Sequence, residues 1–174
     1  MRAKFFIVKR YLEFMIIRKA RKEDINAINF LDRESTRYHE NFDKDFHTVS
    51  EKFWTMKKDS QIKAIKSSKE LILVAEIDRK VIGYIWGYIE EVIKYKIGKI
   101  QELIVTFKER GKGIGTRLIT EMLNFFKKNK CIISEIEVFV DNLPALKTYE
   151  KIGFRKREYK MQLKLDNRKF SPFV

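Results

Sequence analysis

Residues 108–116 read KERGKGIGT and hold three of the chain's seven glycines at every second position, with basic side chains around them. The stretch follows ELIVTF, residues 102–107, a β-rich run. Behind it Leu118, Ile119, Met122, Leu123 and Phe126 recur at the spacing of a helix with one face on a core. A glycine-rich turn between that strand and a helix from Thr116 leaves successive backbone N–H groups facing outward, with no Cβ to block approach. Free amides at the positive end of a helix dipole, with charge added by Arg110, Lys112 and Arg117, make a cradle for a phosphate. Glycines that only turn the chain are the plainer alternative. Two familiar phosphate loops fail on spacing. No G-x-x-x-x-G-K-[ST] string exists, and a G-x-G-x-G after a late strand is not the G-x-G-x-x-G that follows the first strand of a dinucleotide fold.

Outward from the glycines, the upstream half reads as strand, helices and a meander. MIIRKARKEDINAI, from Met15, reads as an opening strand followed by a helix start at Asp24. Residues 1–14 then form either an extra edge strand at KFFIV or a basic extension ahead of a start at Met15. Between Glu23 and Lys69 the spacing of Ile25, Ile28, Phe30 and Leu31, then of Phe42, Phe46, Val49, Phe53 and Met56, predicts two amphipathic helices linked near Ser35. Residues 70–91 read as a hairpin turning at Asp78-Arg79-Lys80, and residues 95–107 as a third strand. Downstream, the first helix ends near Asn129 and CIISEIEVFV is a strand. LPALKTYEKI is a helix with Pro144 in its first turn and Gly153 as its stop. YKMQLKL, residues 159–165, reads as a last alternating strand.

Composition bounds the class. At 174 residues, 44% hydrophobic and with 14 phenylalanines, the chain makes about one packed domain. One cysteine, Cys131, excludes an internal disulfide framework and fits a reducing compartment. The longest apolar runs, such as VIGYIWGYI, fall well short of the ~20 residues a membrane-spanning helix needs, and FFIV is short for a signal peptide. A cytoplasmic protein is the expectation. The net charge of +14 sits at the ends, with +7 in residues 1–22, +6 in residues 147–170 and +1 between them. The ends are either solvated and solubilising or a surface for an anionic partner.

Arg110-Gly111-Lys112-Gly113-Ile114-Gly115 resembles the [QR]-x-x-G-x-[GA] signature of the GNAT superfamily of acetyl-coenzyme A-dependent N-acetyltransferases. The later block EIEVFVDNLPALKTYEKIGF resembles that family's second motif, with Asn142, Ala145, Tyr149 and Gly153-Phe154 at the matching positions. The resemblance runs from about Met15 to Leu165. It implies an α/β (α+β) fold: a central mixed, mostly antiparallel sheet with two parallel strands splayed apart, flanked by helices. It also implies one acetyltransferase domain over 15–165, with 1–14 as the extension or edge strand and 166–174 as a tail. The implied reaction moves acetyl from acetyl-CoA to a primary amine, and no metal takes part.

The same resemblance implies roles for single residues. Leu103, Ile104 and Val105 would pair their backbone with the pantetheine arm and supply an N–H to the oxyanion, and Gly111 to Thr116 would hold the pyrophosphate. Asn142 would hold the pantetheine from the other strand, or cap the helix after it, or both. Tyr149, with a reference pKa of ~10, would donate a proton to the leaving thiolate. The acceptor ammonium must lose a proton before attack, and Glu102 and Glu137 are the two candidate bases, each with a solvent-facing structural glutamate as its alternative. Some relatives carry their base one position before Glu102, where this chain has Gln101. Strand alternation puts Gln101 and Glu102 on opposite faces.

Tyr38, His39, Phe42, Asp43 and Phe46 lie in the segment that shapes the acceptor pocket in this family, and Glu90 joins Asp43 and Glu102 as acids that offset the basic ends for a cationic acceptor. His39 and His47 have no Cys or carboxylate set at metal-ligand spacing. The expected partners are acetyl-CoA and an amine, with no membrane, and a homodimer is compatible. The competing class is a basic module for RNA, ribosome or DNA with an inactive core. Aromatic and basic residues interleave only at KFFIVKRYLEF, and no nucleic-acid motif is present.

Overall fold

The computed structural model describes residues 14–42 and 49–163. The chain runs β1 (Ile16–Lys19), a 3-10 turn (Lys22–Asp24), α1 (Ile25–His39), α2 (Glu51–Lys66), β2 (Glu70–Ile77), β3 (Lys80–Val92) and β4 (Tyr95–Val105). A second 3-10 turn (Phe107–Glu109), α3 (Ile114–Lys128), β5 (Cys131–Ile136) and α4 (Leu143–Ile152) follow. The five strands lie in sequence order in one sheet, antiparallel through β4 and parallel between β4 and β5. This is the mixed sheet flanked by helices that the sequence implies.

Local chemistry accounts for the connections. The β2–β3 hairpin turns on Asp78 and Arg79, both at positive φ (48° and 61°), the pairing that matches the right-handed twist of the flanking strands. Ser50 caps α2 by accepting from Phe53 N at 3.3 Å. Gly153, at φ 116°, stops α4.

Two cores sandwich the sheet. On one face Ile114, Leu118, Ile119, Met122 and Phe126 of α3 pack on Leu71, Leu73, Ile85 and Ile100. Each of those α3 side chains contributes ~1.5–3 kcal/mol by leaving water. On the other face Ile25, Ile28 and Leu31 of α1 and Ala64 of α2 cover Ile72, Val74, Tyr84, Trp86 and Ile104. Gly87 lets α3 come close, because a Cβ there would stand 2.7 Å from Met122 Sδ and 2.8 Å from Phe126 Cζ.

Three expectations fail. The helix break falls after His39, not near Ser35, which is buried inside α1. A small hydroxyl can lie on a packed helix face, so a polar residue there marked no loop. Phe30, Phe53 and Met56, read as part of the apolar spacing of these helices, are exposed at 68%, 44% and 61%, while Asp32 and Gln61 are buried on the same two helices. Finally, Tyr159–Leu163 form no strand. Their alternation is real, but Tyr159, Met161 and Leu163 are exposed and pair with no strand among the described residues, and residues 164–165 of the run lie outside them.

Candidate active site

β4 and β5 pair only from Lys96↔Cys131 to Ile100↔Ile136, yet β4 continues on β3 as far as Val105. The strands part just where β4 changes phase. Gly87 faces Ile100 and Trp86 faces Glu102, so Gln101 is an extra residue, a β-bulge. Ile100 belongs to the α3 core, and without the bulge Glu102 would share its face. Instead Leu103 and Val105 pack on the α3 side, while Glu102 and Ile104 turn toward α1 and α2. Alternation counted from Ile100 therefore gives the wrong face for Glu102.

The glycine-rich turn lies beside the parted strands. Gly113, at φ 85°, is the N-cap of α3, which begins at Ile114, two residues before the expected Thr116. Only a residue without Cβ adopts that conformation cheaply, and it aims the first-turn amides outward. Gly111, Gly113 and Thr116 are exposed, whereas Ile114 is buried and anchors the turn. A Cβ on Gly115 would come within 3.8 Å of Leu103 Cδ2 and 4.0 Å of Val105 Cγ2, so the cradle abuts the free half of β4. Two of the cations expected to face a phosphate have protein partners. Lys112 pairs with Glu109 at 2.7 Å. Arg110 donates from Nε to Val105 O at 3.0 Å and lies over the Tyr38 ring.

Tyr149, half-buried on α4, packs on the α3-side core with Phe154 edge-on to its ring. Burial pushes its hydroxyl up to about 12, so it keeps its proton throughout the neutral range. Asn142 is buried and caps α4, its Oδ1 accepting from Ala145 N at 3.4 Å. Glu137 is exposed and follows the last residue of β5 instead of lying on the strand.

Glu102 belongs to a cluster that the sequence did not reveal. Its Oε1 accepts from Lys57 Nζ at 2.8 Å, and the same ammonium stands 2.9 Å from Asp32 Oδ1. Asp32 also accepts from Gln61 Nε2 at 2.7 Å and from the Tyr84 hydroxyl. Asp32, Gln61 and Tyr84 are buried. Burial raises the Glu102 carboxyl and the Asp32 charge adds to that, while Lys57 opposes both. Burial pulls Lys57 down, but the two carboxylates outweigh it and hold the ammonium charged. Burial and the same carboxylates push Tyr84 well above its ordinary value. The one signal in sequence was polar residues at core spacing: Asp32 follows Ile28 and Leu31, and Gln61 precedes Ala64.

The C-terminal end of α1 carries Tyr38, His39 and, just beyond it, Phe42. Tyr38 meets Phe42 edge-on at 5.2 Å, and His39 and Phe42 both lie against Phe139, which follows β5, at 5.4 and 6.0 Å. This aromatic group reaches from the α1 side to the segment after β5. Phe46, Asp43 and His47 lie outside the described residues. Glu90 sits at the far end of β3, paired with Lys99 at 3.4 Å. Among the described residues no His, Cys, Asp and Glu group is arranged to hold a metal ion, and no helix is long and apolar enough to cross a membrane.

The acetyltransferase (GNAT) family model matches residues 31–154. The chain is 31% identical to an uncharacterized N-acetyltransferase of Methanocaldococcus jannaschii over 108 residues, 60% of this chain and 44% of that relative, so it spans less than half of that relative's length. A second uncharacterized N-acetyltransferase of the same organism is 32% identical over 146 residues, 83% of this chain and 80% of the relative. The fold is shared with a mutant of a Bacillus halodurans protein at TM-score 0.77 and 24% identity, covering 86% of this chain and 99% of that one. It is also shared with an aminoglycoside N-acetyltransferase in complex with CoA at TM-score 0.67 and 14% identity, covering 86% and 93%. With the family model matching more than half its length and a relative 32% identical over 83% of it, the chain belongs to the acetyltransferase (GNAT) family, and so to the acyltransferases.

Proposed function

We propose that this protein transfers an acetyl group from acetyl-CoA to a primary amine by direct attack within a ternary complex. The observation that carries the reading is the free half of β4, Glu102–Val105, opening beside the exposed glycine amides at the start of α3. Those amides, Gly111 to Thr116, fit a pyrophosphate, since Gly111, Gly113 and Thr116 are exposed, the run leads into the positive end of a helix, and nothing lies within 4 Å of where a Cβ on Gly111 would stand. The fold shared with an acetyltransferase in complex with CoA supports coenzyme A as the acyl carrier. When bound, acetyl-CoA supplies the thioester carbonyl that the amine attacks.

The chain's own residues manage the protons. Glu102 accepts one from the acceptor ammonium, which at a pKa near ~10.4 is otherwise non-nucleophilic at neutral pH. The backbone of Leu103, Ile104 and Val105 pairs with the pantetheine arm and gives an N–H to the oxygen that gains charge at the attacked carbonyl. Tyr149 donates its phenolic proton to the sulfur as the C–S bond breaks, and the second proton that the nitrogen loses on becoming an amide makes good that phenolic proton. Asn142 Oδ1 serves α4, and its Nδ2 is left to donate to the pantetheine arm. Glu137, exposed beyond β5, is the weaker candidate for base. Tyr38, His39, Phe42 and Phe46 are the acceptor contacts, with an aromatic wall formed by the first three and Phe139.

The test is release of free thiol from acetyl-CoA against a panel of amines and peptide N-termini. Amine-dependent release, with the acetylated amine recovered in equal amount, supports the reading. Binding of acetyl-CoA with no acetylated product from any class of primary amine would overturn it.

A further inference from the structure

Glu102 is held by a buried cation on another element. Lys57 comes from α2, Asp32 from α1, Tyr84 from β3 and Glu102 from β4: the Lys57 ammonium meets the two carboxylates, and Tyr84 joins the cluster through Asp32. Lys57 and Asp32 side chains are 16% and 0% exposed and that of Glu102 is 25% exposed. Taking such charges out of water costs several kcal/mol per ion unless geometry and partners offset it. The partners here are in place for Asp32, which also accepts from Gln61 and Tyr84. Glu102 differs. Its Oε1 faces Lys57, and its Oε2 has no partner among the described residues.

We propose that Lys57 is a positioning residue for acyl transfer, its ammonium fixing Glu102 through Oε1 and keeping that carboxyl ionised, so that Oε2 is free to meet the incoming amine. The proposal rests on the reading of Glu102 as the base. Two carboxylates and one ammonium leave the cluster with one net negative charge when all are ionised, which favours an acceptor arriving as an ammonium ion. One proton then passes from that ammonium to Glu102, leaving a neutral amine and a neutral carboxyl. Lys57 stays charged throughout, because the Asp32 carboxylate still faces its ammonium once Glu102 is neutral, so it is not itself the base. Without Lys57, Glu102 would face burial and the Asp32 charge unopposed, and its carboxyl would be pushed further up.

The titration of Glu102 tests this directly. In the full chain labelled with carboxyl-13C glutamate, the Glu102 signal, assigned with Glu102→Gln, is expected to be that of a carboxylate at pH 7. In Lys57→Met the same signal should titrate ~1–3 pH units higher, and the acid limb of the kcat/KM profile should move with it. Lys57→Arg should restore both, and KM for acetyl-CoA should hold in all three proteins. A protonated Glu102 at pH 7 in the parent, or an unmoved titration in Lys57→Met, would overturn the role given to Lys57. If Lys57→Met does not fold, Lys57→Gln takes its place: a Glu102 titration moved up together with the acid limb supports the proposal, and an unmoved titration overturns it. Parent-like turnover in Glu102→Gln has a different meaning, since it removes Glu102 as base whatever its titration shows.

Discussion

The guanidinium of Arg110 lies 4.1 Å from the centre of the Tyr38 ring and donates to Val105 O at 3.0 Å. One side chain thus ties the loop before α3 to the end of β4 and to the C-terminal turn of α1. Glu34 makes a parallel tie from α1, accepting from Thr106 Oγ1 at 2.8 Å and from Phe107 N at 2.7 Å. The glycine-rich turn, the end of β4 and the C-terminal half of α1 are thus mechanically joined.

Arg110→Ala should therefore act on architecture more than on phosphate binding. It removes a charged hydrogen bond and a cation–π contact, worth about 1–3 kcal/mol together. We expect a lower midpoint in urea unfolding, while the salt dependence of acetyl-CoA affinity stays that of the parent. A flattened salt dependence would instead assign the guanidinium to the phosphate.

At the cradle, Gly113→Glu combines left-handed strain with a negative charge at the helix N-terminus. Affinity for acetyl-CoA should fall by at least ~10-fold, or ~1.4 kcal/mol, in titration calorimetry. Gly113→Asn, which tolerates the same φ, should bind far better than the Glu variant. Equal affinities in the two folded variants would remove Gly113 from the site.

Tyr149 stays protonated because burial pushes it up to about 12. Tyr149→Phe should lower turnover by ~10²–10⁴-fold with little change in acetyl-CoA affinity. The parent's own profile should show no alkaline limb from this group below pH 10. Retained turnover in the Phe variant would mean that the thiolate leaves without its help.

Asp24 offers a check on stability away from the site. Arg18 grips both of its oxygens, at 2.7 and 2.9 Å, and Arg21 N donates to it at 2.7 Å. The Arg18 hydrogen bonds hold its carboxyl below the ordinary value of 3.8 despite burial. A folded-state value below the unfolded one means stability that is full above about pH 5 and lost as pH falls through the folded value. Asp24→Asn should cost about 1–3 kcal/mol in urea unfolding at pH 7. The gap from the parent should narrow at pH 3, and a constant gap would show that the charge is not what stabilises.

Much of the frame was legible because its causes are local. The stripe of α3, the glycines ahead of it, Asn142 and Gly153 bracketing α4, and the Asp78-Arg79 turn each depend on residues within a few positions of one another. Helix periodicity and left-handed φ need no distant partner to be read. The two family motifs then assembled those pieces into one fold.

Sequence alone thus determined the family, the order of strands and helices over most of the chain, and the positions of the glycine-rich turn before α3 and of Tyr149 on α4. Tertiary structure decided the rest. Whether Ser35 or Asp32 is buried depends on what packs against α1, whether residues 159–163 pair depends on a neighbouring strand, and the face taken by Glu102 depends on a bulge set by the β3 register. The partner of Glu102 lies 45 residues away on α2, and a lysine at that distance carries no mark in the sequence. Burial and pairing are properties of the assembled core, where charge is costly unless another element supplies its opposite, and only the folded chain shows which element does so.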